Sequence, residues 1–195
     1  MGEAHLAQNG SAFASVSQNW HYGRLKISRT ANPPRTRRLT LPFDTPSDPP
    51  LRLIAAYYTA FPEQAPEWYL ETPGRDMWIA AKLTADDVVT VAAGDLDSRA
   101  SFTWRSAKTK RTVTNRPLPR WARFLAGLVL ALTDLGMRVP GMEAVIVGDE
   151  LAGPRYEHAL GMAFAALMYR LQARDVTINQ LVDLVDRVRR EYVDG

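Results

Sequence analysis

Across residues 140–171 an apolar run, Val145-Ile146-Val147, ends in Gly148-Asp149, crosses a short loop and enters an alanine-rich segment with helical spacing. Strand, loop and helix start in that order bring unpaired backbone N–H groups and the positive end of a helix dipole together, a common way to build a phosphate site. The loop itself reads Glu150-Leu151-Ala152-Gly153-Pro154-Arg155-Tyr156-Glu157. Phosphate loops use glycines so that backbone can approach the anion, and hydroxyls or a lysine to complete the cradle. Here Gly153 is the one glycine, Pro154 removes a donor, and Glu150 and Glu157 place carboxylates where an anion would be repelled.

The rest of the chain gives a coarse order of elements. Pro49-Pro50 sits at a helix start, and residues 51–61 follow with apolar positions at helical spacing. Residues 68–70, 77–83, 88–93 and 101–104 read as strands that pair antiparallel in sequence, punctuated by Pro73-Gly74, Asp86-Asp87 and Gly94-Asp95. Pro119 opens a helix that runs to Leu135 and stops at Gly136. A further helix over residues 156–171 carries Ala159, Gly161, Ala163, Ala165 and Ala166, small enough for close backbone approach. Thr177-Ile178-Asn179-Gln180 fits a capping box, followed by an apolar stripe of Ile178, Leu181, Val182, Val185 and Val188. At the other end, residues 1–18 read as disordered and residues 20–27 as a short strand.

With 195 residues, 46% of them hydrophobic, the chain buries a real core, and we divide it into an irregular extension (residues 1–49) and one domain (residues 50–195). There is no cysteine, which excludes disulfides, thiolate metal sites and cysteine nucleophiles. The N-terminal residues lack the basic and apolar regions of a leader, and the most apolar stretch, residues 124–132, is too short to span a bilayer, so a soluble, cytoplasmic protein is expected. The net charge of +3 is unevenly spread. Arg99, Arg105, Lys108, Lys110, Arg111, Arg116, Arg120 and Arg123 accumulate where no acidic residue occurs between Asp97 and Asp134. Such a patch suits a polyanion, and the plainer reading is a solvated hairpin edge. A second basic cluster, residues 24–38, lies among prolines that forbid long helices.

The strand-loop-helix resembles the second motif of galactokinases and the wider GHMP kinases, in which an apolar strand passes through Gly-Asp, a Pro- and Gly-rich loop and a run of serines into a small-residue helix. Val145-Ile146-Val147-Gly148-Asp149 and Ala159-Leu160-Gly161-Met162-Ala163 are similar to its flanks, while the loop is about two residues short and Arg155, Tyr156 and Glu157 fall where the family has serines. Upstream, Leu51-Arg52-Leu53-Ile54 with Phe61, then Pro66-Glu67-Trp68 and Thr72-Pro73-Gly74-Arg75, resemble the galactokinase opening, and Asp76-Met77-Trp78-Ile79-Ala80-Ala81 resembles the next family strand, as though the sugar loop had been deleted. The resemblance covers residues 51–195, and no counterpart of the family's catalytic aspartate loop is present. It implies an α+β fold, a mostly antiparallel sheet packed with helices, as in a truncated N-terminal kinase lobe. It also implies ATP and Mg2+ as cofactors, a sugar or other small molecule as substrate, Arg75 as a catalytic residue, and a degenerate nucleotide-phosphate loop of Gly153, Pro154, Arg155, Tyr156 and Glu157.

Other candidates read as structural. His158 beside Glu157 has no nucleophile or metal partner placed by the sequence, Asp149 suits a turn or a contact with Arg155, and Trp68, Trp78, Trp104 and Trp121 suit packing. Three readings follow: a degenerate, inactive galactokinase-like lobe, which we favour; an active kinase with its other half on a second chain; and a scaffold that holds a protein or polyanion by the lobe surface and the basic hairpin. A homo-oligomer or a missing C-terminal lobe is the expected partner; nucleic acid and membrane are not.

Overall fold

The computed structural model describes residues 48–195, so the expectations for the disordered start, the strand over residues 20–27 and the basic segment over residues 24–38 lie outside the described residues. The core is a five-stranded sheet in the order β1-β2-β5-β3-β4, made of β1 (Trp68–Glu71), β2 (Met77–Leu83), β3 (Val89–Ala93), β4 (Ser98–Phe102) and β5 (Met142–Gly148). Pairing is antiparallel except between β3 and β5, which run parallel. The α+β class with a mostly antiparallel sheet holds. Pairing in strict sequence order does not, because β5 inserts between β2 and β3. That strand is buried at six of its seven positions, as a central strand covered on both faces must be.

Alternation sorts the strand side chains to two unequal layers. Met77, Ile79, Val91, Phe102, Ala144 and Ile146 face the larger layer, formed by α3 (Arg120–Asp134), α4 (Pro154–Leu171) and α5 (Ile178–Val188) with the short α2 (Trp104–Ala107). Ala80, Ala92, Val145 and Val147 face the other way, against Leu53, Tyr57 and Phe61 of α1 (Leu51–Ala60) and the residue after it. Small residues set the helix spacing. A Cβ on Gly161 of α4 would stand 3.0 Å from Val185 of α5, and one on Gly127 of α3 would stand 2.5 Å from Val188.

Several local expectations need correction. Trp104 does not end a strand: Thr103 caps α2, accepting from the Ser106 N–H at 3.2 Å while its own N–H donates to Ser106 Oγ at 3.0 Å. Most of the basic residues therefore lie on α2 and its following loop and not on a hairpin edge; Arg99 alone is on the edge strand β4. The last long helix begins at Pro154, two residues before its expected start. Ile178 leaves the apolar stripe and is 46% exposed, with Leu184 buried in α5 in addition to the expected positions. The Thr177–Gln180 capping box forms as expected. Past Val188 the chain continues as a π turn, Arg189–Val193.

This topology gathers three connections at one end of the sheet. The parallel strands β3 and β5 finish side by side, and Met77 at the start of β2 pairs with Gly148 at the end of β5. The β1–β2 turn, the 3-10 turn Gly94–Leu96 after β3 and the β5–α4 loop therefore meet at one rim.

Candidate functional site

At that rim the β5–α4 loop is held from below by Asp95. Its Oδ2 accepts from the Gly148 N–H at 2.8 Å and from the Tyr156 hydroxyl at 2.9 Å, tying the strand end to the first turn of α4. Burial, and then the adjacent Asp95 carboxylate, push the Tyr156 phenol up, so this hydroxyl stays protonated and donating. Gly148 is required by close approach: a Cβ there would lie against Met77 Sδ and 2.5 Å from the Asp76 carbonyl oxygen. Gly153 precedes α4 with φ 125, and Pro154 stands at the first helical position, so the helix start offers one donor fewer than usual.

The charged side chains of the loop all turn to partners within the chain. Glu150, its side chain only 7% exposed, meets Arg155 Nε through Oε2 at 2.7 Å and Arg75 Nη1 through Oε1 at 3.7 Å. Arg75, expected at a strand end in a Pro-Gly turn, sits in the β1–β2 turn, where Gly74 takes φ 69; its Nε also donates to Met162 Sδ of α4 at 3.4 Å. Asp149 pairs with Arg52 of α1 at 2.6 Å, not with Arg155. Glu157 pairs with Arg120 of α3, whose Nη2 reaches Asp194 at 2.8 Å.

His158 lies one residue further along α4. Its Nε2 is 3.5 Å from Asp186 of α5, and its buried Nδ1 has no hydrogen-bond partner among the described residues. Burial pulls the imidazole down, and the nearby Asp186 carboxylate only partly opposes this, so the ring is neutral at pH 7. Among the described residues no group of three or more His, Cys, Asp or Glu converges to hold a metal ion.

The structure thus brings Arg75 and Arg155 together, as a site for phosphoryl groups requires, but through a carboxylate. Gly153 and Pro154 shape the helix start, Tyr156 faces Asp95 beneath it, and Glu157 faces Arg120. The roles of Asp95 and Glu150 were not read from sequence. In the sequence Asp95 is one of several turn residues, and Glu150 is a repelling charge with no sign that two arginines close on it. A groove of about 390 Å³ lies on the opposite face of the sheet, between α1 and β3–β4, lined mainly by Ala56, Ala60, Ala92, Gly94 and Arg99. Arg99 there stacks over Phe61 at 4.6 Å and donates to the Ala60 carbonyl.

No family model and no curated protein matches the sequence. Solved structures similar in part to this chain include galactokinase of Lactococcus lactis, in complex with galactose, at 16% identity and TM-score 0.47, covering 63% of this chain and 31% of that one. Mevalonate kinase of Methanococcus jannaschii is similar at 11% identity and TM-score 0.45, over 59% and 36% of the two chains. Phosphomevalonate kinase of Streptococcus pneumoniae, in complex with phosphomevalonate and AMPPNP, is similar at 15% identity and TM-score 0.39, over 57% and 32%. The chain spans about a third of the length of the structures it matches.

Proposed function

We propose that this chain is a galactokinase-like lobe of the small-molecule-kinase type that does not itself transfer phosphoryl groups, because Glu150 holds the place of the phosphate. The observation that carries the reading is the buried Glu150 carboxylate between Arg75 and Arg155. In the family that the sequence resembles, an arginine at the position of Arg75 would stabilise charge on the transferring phosphoryl group. Here that charge is already met. A phosphate entering the same space faces a carboxylate, and two like charges about 4 Å apart repel by roughly 4 kcal/mol at an effective dielectric of 20. That is roughly a thousandfold in affinity for each such contact.

The other positions of the loop support the same conclusion. Where the resemblance implies serines, Arg155 is turned to Glu150, Tyr156 to Asp95 and Glu157 to Arg120. Pro154 supplies no donor, and the Glu157 N–H is used on the Gly153 carbonyl at 3.0 Å. The residues present do not fit ATP with Mg2+. A sugar remains the substrate class that the resemblance implies.

The test is a coupled assay of ADP release with Mg-ATP and galactose, run on the full chain and on Arg75→Ala. The expected result is no turnover in either. Wild-type turnover abolished by Arg75→Ala would restore an active kinase.

A further inference from the structure

The second concentration of charge lies away from this rim, in residues 103–118 between β4 and α3. Backbone bonds fix the shape of this loop. The Thr112 N–H donates to the Arg116 carbonyl at 2.8 Å, Leu118 to Lys110 at 2.9 Å, and Val113 to Ser101 of the edge strand at 2.9 Å. Arg111 and Pro117 form an isolated bridge, and the Tyr192 hydroxyl after α5 donates to the Ala107 carbonyl. Lys110 and Asn115 are held at φ 56 and 62, a left-handed conformation that these bonds support.

On this fixed frame stand Arg105, Lys108, Lys110, Arg111 and Arg116, and among the described residues no ion pair joins any of them to a carboxylate. Their neighbours are neutral. Lys108 lies 3.5 Å over the Trp104 ring, Lys110 lies 5.3 Å over Tyr192, and Arg111 donates to the Asn115 carbonyl at 2.7 Å. Between them Trp104 is 41% and Val113 48% exposed. Residues 98–133 carry eight lysines and arginines and no acid, whereas the other described residues carry ten against nineteen Asp and Glu.

We propose that this loop docks an acidic segment of a partner protein, with Trp104 and Val113 as its apolar contacts. Uncompensated cations around exposed apolar side chains match an acidic peptide that carries a few hydrophobic residues, and Trp and Arg are the residue types that dominate such interfaces. A long nucleic acid fits less well. The described residues around the loop are net negative and repel an extended polyanion, and Lys108 already occupies one face of the Trp104 ring.

The test is fluorescence anisotropy at low salt with the full chain and a fluorescein-labelled peptide of Asp and Glu containing two leucines. The wild type should bind. Arg105→Glu with Arg111→Glu should weaken binding by about tenfold or more, and Trp104→Ala by about threefold or more at unchanged charge. Arg138→Glu with Arg174→Glu, an equal charge change off the loop, should have little effect. Arg105→Gln with Arg111→Gln, which should also weaken binding, serves if the reversal fails to fold. Absence of binding, an equal loss in the off-loop pair, or an oligothymidylate of equal charge binding as tightly as the peptide would each overturn the proposal.

Discussion

In the β5–α4 loop Glu150 closes on Arg75 and Arg155, Asp149 on Arg52 and Glu157 on Arg120, whereas in residues 103–118 five cations meet no carboxylate among the described residues. One segment follows the central strand β5 and the other the edge strand β4, and both are fixed by hydrogen bonds. The difference lies in where their charge is balanced. A loop that neutralises itself has little left to offer a ligand, and its charged groups act as fasteners between β1–β2, α1, α3 and α4. A loop whose cations meet only neutral groups gains no ion pair from them and keeps their charge available to a partner.

This contrast makes ordered predictions about stability. The largest effect belongs to Gly148→Ala, which drives a methyl into Met77 and the Asp76 carbonyl and should cost about 3 kcal/mol, read as a lower urea midpoint. Tyr156→Phe comes next. It removes one of the two donors on Asp95 Oδ2, at a cost of about 2 kcal/mol for a bond to a charged acceptor. A loss below about 0.5 kcal/mol would show that Asp95 does not fasten the loop.

A smaller effect is pH-dependent. Burial lowers the folded-state pKa of His158 below its ordinary 6.5, so the unfolded chain takes up the proton first. Its contribution to stability is therefore complete above about 6.5 and is lost as pH falls from there through the folded value. Urea midpoints compared with His158→Gln should converge with acidification; parallel curves would contradict the burial argument. The smallest effect is expected on the other loop. Arg105→Ala and Arg116→Ala should each move stability by less than about 0.5 kcal/mol, because no ion pair is lost, and a larger change would place a hidden carboxylate partner there.

Much of the fold was legible in local signals. The span of β2 follows from its apolar run, the start of α1 from Pro49-Pro50, and the start of α5 from Thr177 and Gln180. These depend on residues a few positions apart. The order of strands was not legible, because β5 joins β2 and β3 through pairings across about fifty residues or more and its apolar sequence suits either neighbour. An aromatic at Trp104 after Ser101-Phe102 continues a β pattern, whereas the Thr103–Ser106 capping box starts a helix there.

The candidate site divides the same way. Gly153 and Pro154 mark a turn and a helix start in the sequence, and the structure forms both there. The pairing of Arg75 with Glu150 was not legible, since the two are far apart in sequence and only the β2–β5 register brings them together. The same holds for Asp95 under Tyr156 and for Arg52 beside Asp149.

The most direct measurement is a calorimetric titration of the full chain and of Glu150→Gln with inorganic tripolyphosphate and with Mg-ATP. If Glu150 holds the phosphate place, the wild type should give no binding heat, and Glu150→Gln, with both arginines freed of a negative partner, should bind tripolyphosphate. Micromolar binding of Mg-ATP by the wild type, or identical titrations of the two proteins, would contradict the account.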